Sequence, residues 1–356
     1  MYNFHKKEAP LLGLLGSGGG LGYLAGGAGP SYVGNIAISH YSSPYISAYS
    51  WDSGFGTKYA DPASYSGYGG RGVAFSPDGS DIATVDLGSP FINAYPWSGS
   101  GFGTRYANPA TLPVAQGGYV AFSPDGSDIA VAHYGSPYIS VYPWSSGFGT
   151  KYANPATLPG VAGNGVAFSP DGSDIAVATT LTPFISVYPW SSGFGTKYAD
   201  PATLPAGNGF AVAFSPDSAD IAVVHGTSPY VTVYPWSSGF GTKYANPATL
   251  PTGLGLGVAF SPDGATIAVA HNDSPYISVY PWSSGFGTKY ANPATLPTGT
   301  GYNVAFSPDG SLIAVAHAGS PRISVYPWSS GFGTKYANPA TLPGDDVFGV
   351  AFTPAA

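Results

Sequence analysis

Short apolar runs closed by turn residues fill the chain from about residue 34 onward, and none shows an apolar period near 3.6 residues. The unit beginning at Val166 is representative. Val166-Ala167-Phe168 reads as a short strand, followed by Ser169-Pro170-Asp171-Gly172, a tight turn in which proline fixes φ and glycine supplies a positive φ. Residues 174–178 alternate apolar and small side chains as a second strand. Residues 184–190, rich in β-branched and aromatic types, give a third. Ser191-Ser192-Gly193 turns the chain, and 194–199 gives a fourth. The pattern predicts strands throughout and no helix.

This unit recurs. The seven tryptophans (Trp51, Trp97, Trp144, Trp190, Trp236, Trp282 and Trp328) hold one position of it, 46 residues apart except for a spacing of 47 after Trp97, where one residue is inserted near 99–101. A period in the forties with four strands per unit is the signature of a β-propeller. The chain enters the repeat at its second strand, 35–39, and runs out at a first strand, Gly349-Val350-Ala351-Phe352. The expectation is therefore all-β: a seven-bladed β-propeller of four-stranded antiparallel blades over 34–356. Its ring is closed by the C-terminal strand joining the first blade, which leaves no sheet edge at the junction. An extended glycine-rich tail over 1–33 precedes it.

Composition narrows the function. Charged residues are 8% of the chain and aromatics 15%, with 27 Tyr, so the chain is neither disordered nor typical of a cytosolic enzyme. A net charge of −7 without a clustered basic run excludes nucleic acid as a partner. The absence of cysteine removes disulfides, thiol catalysis and cysteine-based zinc sites. In the tail, Lys6 and Lys7 followed by Leu11, Leu12, Leu14 and Leu15 look like a secretion signal, but Glu8 and Pro10 interrupt it and seven glycines between Gly13 and Gly26 dilute it. It is too short and glycine-rich for a membrane span. The expectation is an anchoring segment that seats the chain on other proteins of an assembly.

The Phe-Ser-Pro-Asp-Gly turns at 75–79, 122–126, 168–172, 260–264 and 306–310 resemble those of WD-repeat and related bacterial propellers; the copy at Phe214 reads Ser-Pro-Asp-Ser. The Trp-Asp and Gly-His dipeptides of the eukaryotic family are missing, so its polar network is not expected. The fuller unit, Gly-Phe-Gly-Thr-Lys-Tyr-Ala-Asn-Pro-Ala-Thr-Leu-Pro at 147–159, resembles repeats of marine phage structural proteins, and the segment 6–15 resembles the N-termini of such virion proteins. That resemblance implies a virion component.

Two loops vary between copies, the one joining strands two and three and the one leading from strand four to the next strand one. Antiparallel strands place both on one face, and binding residues concentrate on loops carried by a rigid scaffold. The expected binding face comprises Tyr68, Arg71, Gln116, Tyr119, His133, Tyr134, Asn208, Phe210, His271, Asn272, Asp273, Tyr302, Asn303, Asp345, Asp346 and Phe348. Aromatic rings beside amides and carboxylates suit sugars or a protein hot spot.

Other repeated residues have plainer readings. His40, His133, His225, His271 and His317 share one strand-end position, but ring symmetry holds equivalent positions about 10 Å apart, too far to converge on a metal. The Pro-Asp turn carboxylates cap their own backbone. Lys58, Arg105, Lys151 and their counterparts give one cation per blade, expected as a solvated ring or as an annulus facing a symmetric partner. No catalytic, cofactor or metal site assembles from these residues. The leading expectation is a non-enzymatic phage virion protein, a tail-fibre, decoration or host-adhesion component, displaying its face to a host glycan or protein. The alternative is a secreted or periplasmic propeller with carbohydrate-binding or hydrolytic activity.

Overall fold

Alternation along the second strand of each unit decides how the sheets stack. In blade four, Ile175 and Val177 pack with Ala130, Ala132, Ile139 and Val141 of the blade before, whereas Ala176 and Ala178 pack with Val212, Ile221 and Val223 of the blade after. The strand Asp174–Thr179 is buried along its whole length. Large side chains on one face meet small ones on the next, so neighbouring sheets interdigitate at interior density.

The computed structural model describes residues 32–354. The anchoring residues expected in the tail, Lys6, Lys7, Leu11, Leu12, Leu14 and Leu15, lie outside the described residues. Among the described residues seven antiparallel sheets account for all strands, and they form a seven-bladed β-propeller. The strand Val347–Phe352 lies beside Val33–His40 in the first sheet, pairing Ile36 with Phe352 and Ile38 with Val350. The ring therefore closes within one blade, as expected. The Tyr32 hydroxyl fastens the junction, donating to the Thr353 carbonyl at 2.9 Å.

The outermost strand is shorter than expected. Only blades one and two retain it, at Phe55–Lys58 and Gly101–Phe102; elsewhere a single bridge such as Trp190 to Phe194 replaces it. Glycines flank the phenylalanine and proline follows within a few residues, so this edge forms little ladder. What holds it is aromatic packing. Trp190 meets Phe194 at 5.1 Å and Tyr152 of the preceding blade at 5.2 Å, both edge-to-face.

Candidate functional site

Each first strand slips register once against its second strand. In blade four Gly163 pairs with Thr179 and Gly165 with Ala178, so the ladder skips Asn164. Such a bulge leaves one residue unpaired and re-aims its side chain. The residue before it must approach the preceding blade closely: a Cβ on Gly163 would lie 2.2 Å from the Tyr138 carbonyl oxygen. The corresponding residues from the seven blades are Phe348, Arg71, Gly118, Asn164, Phe210, Leu256 and Tyr302. All seven line one cavity of about 110 Å³ at the channel mouth, together with Tyr119, Tyr134, Ala211 and Asn303. Six residue types occupy these seven positions, whereas Val-Ala-Phe follows two residues later in every blade. The cavity lining thus varies between blades where the adjoining strand repeats.

Its electrostatics rest on Arg71. The guanidinium lies 5.0 Å from the centre of the Phe348 ring, and its buried Nε has no hydrogen-bond partner among the described residues. No carboxylate or imidazole lines the cavity. A cation over an aromatic face, lacking an anionic partner, favours a negatively charged or strongly polarised group of a ligand. Tyr302 packs against Phe348 with centroids 5.0 Å apart, which completes an aromatic wall, and burial raises the Tyr302 phenol above its ordinary range. Asn164 is held by donation from its Nδ2 to the Gly209 carbonyl at 2.7 Å.

Of the sixteen residues expected on the binding face, Arg71, Tyr119, Tyr134, Phe210, Tyr302, Asn303 and Phe348 meet in this cavity. Tyr68, Asn208, Asp273, Asp345 and Asp346 are exposed and lie outside its lining, as do the half-buried Gln116 and Asn272. Asp345 pairs with Arg322 at 2.6 Å. Inclusion of His133 and His271 is corrected. Both are fully buried, and their Nε2 atoms lie 3.0 Å from the hydroxyls of Ser140 and Ser278. Burial lowers both imidazoles to about 4, leaving them neutral strand-end bonders. Gly118, Asn164 and Leu256 were missed. Each stands two residues before Val-Ala-Phe, but nothing in the sequence marks the bulge that turns it into the cavity.

The sequence also concealed a polar network between blades. Asp128, at the start of a second strand, accepts from Trp190 Nε1 of the next blade and from the Tyr152 hydroxyl, both at 2.9 Å. Asp81, Asp174 and Asp220 accept from Trp144, Trp236 and Trp282 in the same way. In blade seven Leu312 takes this place, and Trp51 Nε1 is left without a partner among the described residues. The expected solvated ring of cations is tucked in. Lys151 Nζ donates to the Tyr152 carbonyl at 3.3 Å and to the Asn154 side chain.

No family model matches the chain, and no curated protein is similar to it. Solved structures are. A 6-phosphogluconolactonase candidate from Bacteroides uniformis is 19% identical, with a TM-score of 0.70 covering 90% of this chain and 99% of its own. Another from Bacteroides fragilis is 16% identical, with a TM-score of 0.72 covering 90% and 98%. A periplasmic gluconolactonase of Pseudomonas aeruginosa is 16% identical, with a TM-score of 0.68 covering 91% and 100%. These likenesses show the fold. They also correct two expectations, that of a phage virion component and that of a chain without catalysis. These three propellers carry lactonase names, and the virion placement has no support. Among the described residues no helix is long and apolar enough to cross a membrane.

Proposed function

We propose that the channel mouth binds a small sugar acid or sugar lactone, and that the protein is a secreted or periplasmic propeller that opens such lactones by hydrolysis. The observation that carries this reading is Arg71, a cation aimed into an aromatic cavity that no carboxylate lines. Phe348 and Tyr302 offer flat apolar surface to a sugar ring, while Asn164 and Tyr134 offer directional hydrogen bonds. In the reaction a water oxygen adds to the lactone carbonyl carbon. The ring carbon–oxygen bond breaks, the ring oxygen takes a proton from the attacking water, and a carboxylate and a proton are released. Arg71 stabilises the oxyanion on the former carbonyl oxygen and then holds the product carboxylate. The lactonase names of similar propellers support this choice of substrate class.

Removing a single oxyanion donor slows acyl transfer by about 10² to 10³. Arg71→Ala should therefore lower turnover of gluconolactone, measured above spontaneous hydrolysis, by about 10² and weaken gluconate binding in calorimetry. A wild-type protein that neither accelerates ring opening nor binds gluconate would overturn the proposal.

A further inference from the structure

Below the mouth lies a second cavity, about 450 Å³, walled by the Val-Ala-Phe segments of the first strands. The two cavities share Tyr119, Ala211 and Asn303 in their linings. These three hold one ring position, the residue after the bulge; the other blades have Gly72, Gly165, Gly257 and Gly349 there. Tyr119 is the one large side chain at that level. From blade three its hydroxyl reaches blade seven, where Asn303 Nδ2 donates to it at 3.5 Å. Asn303 Oδ1 in turn accepts from the Val350 amide at 3.3 Å, which fixes the amide's orientation. The glycines make room for the ring: a Cβ on Gly72 would stand 2.9 Å from Tyr119 Cδ2.

We propose that Tyr119, braced by Asn303, is the floor of the mouth pocket and sets the greatest length of ligand admitted. The site then accepts acids or lactones of about one sugar ring and rejects longer ones. The ligand class rests on the function proposed above; the floor does not. Tyr119→Gly, the residue four other blades carry, joins the two cavities, and Tyr119→Phe keeps the ring without its hydroxyl.

The test is calorimetric binding of gluconate and a disaccharide aldonic acid, alongside linear dicarboxylates from succinate to sebacate, to the wild type and both variants. The wild type and Tyr119→Phe should show a fall of at least about tenfold, or about 1.4 kcal/mol, beyond a limiting length. In Tyr119→Gly the step should vanish, with a thermal melt confirming that the variant is folded. A wild type indifferent to length, or a step that persists in Tyr119→Gly, overturns the floor and leaves the sugar-acid reading to gluconate. A dicarboxylate step without sugar-acid binding keeps the floor and overturns the sugar reading. If no anion binds any of the three proteins, both fall.

Discussion

His40, His133, His225, His271 and His317 are buried, and burial holds each imidazole at about 4. An unfolded chain takes up their protons near pH 6.5, where the folded protein cannot. Their contribution to stability is therefore complete above about pH 6.5 and is lost as pH falls towards 4, at a rate of at most about 1.4 kcal/mol per pH unit for each histidine. Melting temperature followed from pH 7 to pH 4.5 should fall steeply. The double variant His133→Thr with His225→Thr, copying Thr179 of blade four, should flatten that curve; parallel curves would refute the assignment. Asp128 acts through geometry. Asp128→Ala leaves the Trp190 indole and the Tyr152 hydroxyl without their acceptor, and should cost about 2 to 4 kcal/mol in chemical denaturation. The aspartate series was visible in the sequence, but its partners were not. Trp190 lies 62 residues from Asp128, and only the stacking of successive blades brings them together.

At the scale of the strand, most boundaries were legible because each turn carries its own chemistry, as in Ser-Pro-Asp-Gly with its positive-φ glycine. The bulge was not. It adds no turn residue and no break in hydrophobicity, only an extra side chain between a glycine and Val-Ala-Phe, so Asn164 and Leu256 looked like loop residues. The fourth strand failed for the opposite reason. Its aromatic residues suggested a ladder, yet they serve edge-to-face packing on the tryptophan while the flanking glycines leave the backbone largely unpaired. The bulge has a steric requirement that can be tested. Gly163→Ala forces a methyl against the Tyr138 carbonyl and should destabilise the protein by about 1 to 3 kcal/mol in denaturant melts. Asn164→Ala, on the neighbouring residue that the ladder skips, should stay within about 1 kcal/mol of wild type.

For the whole molecule, closure depends on the strand Val347–Phe352, whose Val347, Val350 and Phe352 pack into the cluster that joins blades seven and one. Deleting everything after residue 346 opens the ring and exposes two sheet edges. Calorimetry should then show no cooperative melt; a transition within a few degrees of the full chain would contradict this account. The seven-fold plan and its closure were readable from the tryptophan period and from the phase of the last copy, because both are one-dimensional properties. Convergence of seven residues of six types on one mouth is not, since it exists only around the axis. The bulge gives this arrangement a bearing on descent. The residue that faces the cavity is the one that the ladder skips, so it can be exchanged without disturbing register, turns or blade packing. Point mutation, or unequal recombination between near-identical repeats, could thus rewrite specificity one blade at a time while every intermediate still folds.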